Sequence, residues 1–183
     1  MNILYLGKYK RRFKDITSLI LKEDKSVVDL CFGDTFIANY CFKNNIEWTG
    51  YDISEYFVKR AKKLNFNAFQ LDVLEIEASL RFDVCIIIGS LYHFEKNIDF
   101  IFEKMCTISS KIIISEPIKN LTNGNAIFRY FAKKMTKSGK GEESYRYRKE
   151  TLISELKKQK QKFHFSYKIV KENRDLLILI TND

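Results

Sequence analysis

The sequence predicts an α/β fold: a single doubly wound, mostly parallel mixed sheet that ends in an antiparallel hairpin. Three observations carry this reading. Short apolar runs of strand length alternate with segments of helical periodicity along most of the 183 residues. The last two strand-like runs are separated only by KENRD, too little chain for a parallel crossover. A single proline, with no repeat and no low-complexity linker, leaves no natural point of division, so residues 1–183 read as one domain.

Each element has its own signal. Residues 1–25 read as a basic helical segment whose apolar stripe is Phe13, Ile16 and Ile20. The first buried strand is Val27 to Cys31, within VVDLCFGDTF, and the second is Trp48 to Tyr51. Ser54 is placed to cap a helix with Tyr56, Phe57, Arg60, Ala61 and Leu64 on one stripe. Asn67 to Leu71 and Val84 to Ile88 are the third and fourth strands. Behind Asn97, the stripe Ile98, Ile101, Phe102, Met105 and Ile108 marks the next helix, and Ile112 to Ser115 the fifth strand. Residues 121–149 interrupt the alternation and read as a lid insertion. A helix from about Glu150 to Gln161 then leads to FHFSYKIV and LLILI, the hairpin. Strands joined by helices of this length imply right-handed crossovers and a sheet covered on both faces.

Composition narrows the class. Hydrophobic residues make up 45% of the chain and aromatics 14%, enough for a packed core. No apolar run approaches the roughly 20 residues that span a bilayer, and NILYLG breaks into KYKRRFK before a secretory signal could form. The cytoplasm is the expected compartment. Cys31, Cys41, Cys85 and Cys106 lie in apolar runs without a C-x-x-C pair, which fits reduced core thiols and no metal site. The formal charge of +9 suits an anionic partner. Arg11 and Arg12 stand out, because they open a helix whose dipole disfavours cations.

In a doubly wound sheet, ligands sit outside the carboxyl ends of the strands, where the strand order reverses. The residues found there are Asp29 and Gly33, then Asp52, then Asp72, then Gly89 to His93, then Glu116. Acidic groups thus gather at one edge of a basic protein. Gly33, Gly50 and Gly89 lie in or beside these strand ends, where a glycine admits close approach to the backbone.

The ordered set VVDLCFGDTF, WTGYDIS, FQLDVLE, FDVCIIIGSLYHF and IIISEP resembles the class I S-adenosylmethionine-dependent methyltransferases, over about Ser26 to Pro117. The closing hairpin also matches the end of their Rossmann-like fold. The resemblance implies S-adenosylmethionine as cofactor and a role for each position. Gly33 would let the turn pass beneath the methionine part, and Asp29 would orient that turn or meet the amino group. Asp52 would accept from both ribose hydroxyls, a task suited to a carboxylate with two accepting oxygens. Asp72 would accept from the adenine amine, with Ile53 and Val73 flanking the ring. Gly89 and Ser90 would run beneath the sulfonium. Structural roles fit the same side chains: Asp52 as a helix cap, Asp72 as a cap over VLEIEASL, Asp29 as a turn brace, and Glu116 as a solvated loop residue.

The turn departs from the usual D-x-G-x-G-x-G. Cys31 holds the first glycine position and Thr35 the third, leaving Gly33 between them. Cys31 is expected to escape the penalty of a left-handed conformation by remaining in the extended strand. The Thr35 hydroxyl is expected to cap the following helix.

The reaction implied is methyl transfer to a small-molecule acceptor at oxygen or nitrogen. His93 is the candidate base, since imidazole titrates near neutral pH, although LYHF would equally suit a packed histidine. Tyr92, Tyr145 and Arg146 are candidate substrate contacts. The basic surplus of the lid favours an acceptor bearing a carboxylate or phosphate. Three rivals stand beside this reading. A nicotinamide dehydrogenase is disfavoured by the hairpin and the poor glycine fingerprint. An RNA methyltransferase is favoured by charge, but GSLYHF is unlike Asn-Pro-Pro-Tyr. The last is a non-catalytic scaffold that has lost its cofactor.

Overall fold

The computed structural model describes residues 9–118 and 145–182. Its elements are α1 (Tyr9–Thr17), β1 (Ser26–Leu30), α2 (Phe36–Lys43), β2 (Glu47–Asp52), α3 (Glu55–Lys63), β3 (Asn67–Gln70), β4 (Phe82–Ile88), α4 (Ile98–Ile108), β5 (Ser109–Pro117), α5 (Lys149–Phe163), β6 (Ser166–Glu172) and β7 (Asp175–Thr181). Short 3-10 turns at Val73–Glu75 and Leu91–Asn97 follow β3 and β4.

Seven strands form one sheet in the order β3-β2-β1-β4-β5-β7-β6. The first five are parallel, and β7 runs antiparallel to both β5 and β6. The chain builds outward from β1 to β3 and then returns to lay β4 on the other side of β1. The reversal of strand order therefore falls between β1 and β4.

Alternation along the strands divides the core into two faces. Val28, Leu30, Cys85, Ile87, Ile112 and Ile114 point to one side, beneath α4 (Ile101, Phe102, Met105) and α5 (Leu152, Leu156). Val27, Val84, Ile86 and Ile113 point to the other, beneath α1 (Phe13, Ile16), α2 (Ile37, Ala38, Cys41) and α3 (Val58, Ala61). This three-layer arrangement is the predicted doubly wound fold. No described helix is long and apolar enough to cross a membrane.

Three local expectations change. FHFSYKIV does not begin as strand: Phe163 ends α5, and His164 turns into the left-handed region at φ +56° as its C-cap before β6 starts at Ser166. The hairpin is also tighter than KENRD suggests, because β6 runs to Glu172 and leaves only Asn173 and Arg174 between the strands. VLEIEASL contributes only the 3-10 turn at Val73–Glu75. Most of the predicted lid, residues 121–144 of 121–149, lies outside the described residues.

Candidate functional site

The turn after β1 sets one wall of the strand-end cleft. Cys31 is not extended, as the sequence suggested, but left-handed at φ +54°. Its amide donates to the Tyr51 carbonyl at 2.7 Å, and the next residue, Phe32, drives its ring against Trp48 with centroids 5.3 Å apart. Hydrogen bonding and aromatic burial thus hold a conformation that costs about 1–2 kcal/mol for a residue with a Cβ. Gly33 follows at φ +56°, and a Cβ placed on it would meet only the Cys31 carbonyl, 3.8 Å away. Among the described residues, nothing else fills the space above Gly33. Thr35 does not cap α2 with its hydroxyl. Instead the Asp34 carboxylate accepts from the Phe36 amide at 2.9 Å, and Asn39 Nδ2 donates to the Thr35 carbonyl at 2.6 Å.

Asp52, at the end of β2, is buried and braces two pieces of backbone. Its Oδ2 accepts from the Gly33 amide at 3.0 Å and its Oδ1 from the Ser54 amide at 2.7 Å. Burial raises its pKa, while those two hydrogen bonds pull it down. Asp29 is 1% exposed on the α1–α3 side of β1. Its Oδ2 accepts from Trp48 Nε1 at 3.4 Å, and its Oδ1 has no hydrogen-bond partner among the described residues. Burial pushes this carboxyl well above the usual range. Asp72 caps the 3-10 turn after β3 through the Leu74 amide at 3.1 Å. Beside it Val73 is buried in the core, whereas Ile53 keeps 37% of its surface exposed.

The other wall is the turn after β4. Gly89 stands at φ +63°, its amide donating to the Ser115 carbonyl at 2.8 Å, and Ser90 Oγ donates to the Ile88 carbonyl at 3.2 Å. Glu116, expected to be solvated, is fully buried at the end of β5. Its Oε2 accepts from the Leu91 amide at 3.1 Å, and its Oε1 has no hydrogen-bond partner among the described residues. Burial pushes its carboxyl up to about 8, against the Leu91 hydrogen bond and the charges of Arg12 and Arg146. Tyr92 is 6% exposed, with the His93 ring 3.9 Å from its own and the Arg146 guanidinium 3.6 Å from its centroid. Tyr145 packs edge-on to Tyr147 at 5.0 Å. Tyr92 thus brings together His93 and Arg146, three of the sequence candidates, and the Arg146 charge acts on Glu116, which the sequence had read as solvated.

Cys31 lies at the electrostatic centre of this arrangement. Burial pushes its thiol far up, and the charges of Asp52, Asp29, Asp72 and Glu116 all act on it in the same direction. Acidic groups from β1, β2, the β3 turn and β5 thus all lie close enough to Cys31 to act on it, at the point of strand reversal. Such a region favours ligands rich in hydroxyl, amine or cationic groups. Among the described residues, no cluster of His, Cys, Asp and Glu is arranged to hold a metal ion.

No protein-family model and no curated protein matches the sequence. Solved structures match its shape. The methyltransferase domain of bacterial CtHen1 superposes with a TM-score of 0.70 at 17% identity, covering 94% of this chain and 97% of that one. Magnesium protoporphyrin IX methyltransferase (ChlM) from Synechocystis PCC 6803, solved with bound SAH, superposes at 0.69 and 14% identity, covering 97% and 84%. An O-methyltransferase family protein from Burkholderia thailandensis superposes at 0.69 and 13% identity, covering 96% and 56%. The chain has the class I methyltransferase fold. Within that methyltransferase fold, sequence reasoning found the strand-end acidic residues but missed the contacts of Arg12 and read Glu116 as solvated. For Arg12 the misplaced charge in KYKRRFK was a signal. For Glu116 there was only its position directly after an apolar strand.

Proposed function

We propose that this protein transfers a methyl group from S-adenosylmethionine to a small-molecule acceptor, at oxygen or nitrogen. The observation that supports this most is the gathering of Asp29, Asp52, Asp72 and Glu116 about Cys31, next to the space above Gly33. The donor set fits the cofactor: accepting oxygens for ribose hydroxyls and amines, and an acidic surround for a sulfonium. In this reading Asp52 holds the ribose and Asp72 the adenine amine. Ile53 and Val73 flank the ring. Gly33 and Asp29 shape the methionine end, and Gly89 and Ser90 lie beneath the sulfonium.

When bound, S-adenosylmethionine supplies a methyl group on a positively charged sulfur leaving group. The protein's part is alignment, exclusion of water and, for a hydroxyl nucleophile, removal of a proton. Tyr92, Tyr145 and Arg146 would hold the acceptor, with Arg146 suited to an anionic group. His93 would take the nucleophile's proton on its imidazole as the new bond forms. All of this would take place within one domain acting in the cytoplasm.

Calorimetric titration with S-adenosylhomocysteine tests the core of this reading. One-to-one binding is expected, with no binding of NAD. Absence of S-adenosylhomocysteine binding would leave the chain a scaffold on a borrowed fold. Methyl transfer from labelled S-adenosylmethionine to matched neutral and anionic acceptors then tests the role of Arg146. Equal rates would remove it.

A further inference from the structure

Arg12 reaches from α1 across the edge of the sheet into the turn after β4. Its Nε lies 3.1 Å from Ser115 Oγ and 2.9 Å from Asp175 Oδ2. Its Nη2 donates to the Ser115 carbonyl at 2.7 Å. That same carbonyl accepts the Gly89 amide at 2.8 Å, so one oxygen receives both the helix and the turn. A Cβ on Gly89 would come within 3.2 Å of Nη2 and 3.4 Å of Nη1. The guanidinium therefore lies against the glycine backbone, in a place any larger residue would crowd.

The side chains of Arg12 and Asp175 are only 9% and 12% exposed. A charge this buried is retained only where it is paired and hydrogen-bonded, and here one carboxylate and both oxygens of Ser115 do so. The neighbouring residue on β5, Glu116, grips the far side of the same turn through the Leu91 amide. Consecutive residues of β5 thus hold Gly89 to Leu91 from both faces of the sheet, and Arg12 supplies one of the two grips.

We infer that Arg12 is a positioning residue: by seating α1 on Ser115 it fixes the Gly89–Ser90 turn and couples docking of the helix to binding in the cleft. The inference rests on the cofactor reading above. If the ligand binds only to the seated turn, its apparent affinity scales with the seated fraction, and by linkage the ligand must stabilise α1 in return.

The experiment uses S-adenosylhomocysteine as probe on the full chain. In wild type, binding should slow hydrogen exchange of the α1 amides. Arg12→Ala should lower affinity by at least about tenfold and abolish that protection, and added methylguanidine should restore part of the affinity. The double variant Arg12→Ala/Asp175→Asn, which removes both charges of the ion pair, should show the same loss with a recovered fold. Wild-type protein that fails to bind overturns the cofactor reading and this inference with it. Wild-type binding without slower exchange in α1, or a double variant that binds within twofold of wild type, overturns the inference alone.

Discussion

Asp52 Oδ2 receives the amide of Gly33 at 3.0 Å, tying the end of the second strand to the turn after the first. The carboxylate thereby shapes the turn while keeping lone pairs on both oxygens for a ligand. Asp52→Ala should weaken S-adenosylhomocysteine binding by at least about tenfold, since a charge-assisted hydrogen bond contributes about 1.5–3 kcal/mol. Calorimetry measures it directly, and equal affinity in the variant would remove Asp52 from the ribose site.

Glu116 should give the stability a distinct dependence on pH. Burial pushes its folded carboxyl up to about 8 against 4.5 for the free group, so the folded state holds its proton longer than the unfolded one. Its contribution is fully present below pH 4.5 and is lost as pH rises to about 8. Across that window the difference in unfolding free energy between Glu116→Gln and wild type should grow in favour of the variant, by up to about 1.4 kcal/mol per pH unit. Urea titrations at stepped pH provide the comparison. Parallel pH profiles would mean that Glu116 is charged in the folded protein.

Cys31 should order its substitutions as a left-handed residue does. Cys31→Val places a branched side chain at φ +54° and should cost about 1–2 kcal/mol more than Cys31→Gly. A true strand position would give the opposite ranking, with valine the better residue. Thermal denaturation of the two variants separates the cases.

His93→Ala should leave S-adenosylhomocysteine affinity unchanged, because the imidazole packs on Tyr92 and is not one of the residues assigned to the cofactor. With a hydroxyl acceptor, turnover should fall by about 100-fold or more. Unchanged turnover would make His93 a packing residue of the LYHF segment.

The sheet was legible in the sequence because parallel strands buried on both faces are written as unbroken apolar runs. VVDL and CIII could hardly be anything else. The hairpin was legible for a different reason, the short reach of KENRD. The aspartates followed from the rule that ligand residues stand where those runs stop. What stayed hidden depends on partners remote in the chain. The oddly charged start of α1 makes sense only once Arg12 meets Ser115, 103 residues away. Glu116 looked like a solvated loop residue because nothing local shows that the Leu91 amide will cover it. Cys31 was misjudged because strand propensity points one way and the pull of Tyr51 and Trp48 the other. In each instance a tertiary contact overrode the local preference.

The reversed direction of β7 has a consequence for biogenesis. Running against β5, it brings its first residue, Asp175, opposite Pro117, beside the last turn of a much earlier part of the chain. On the ribosome, five parallel strands can be synthesised long before the carboxylate that neutralises Arg12 has left the exit tunnel. Until then α1 is held by Phe13 and Ile16 in the core and by Arg12 on Ser115, and its ion pair is closed only when the final strand arrives.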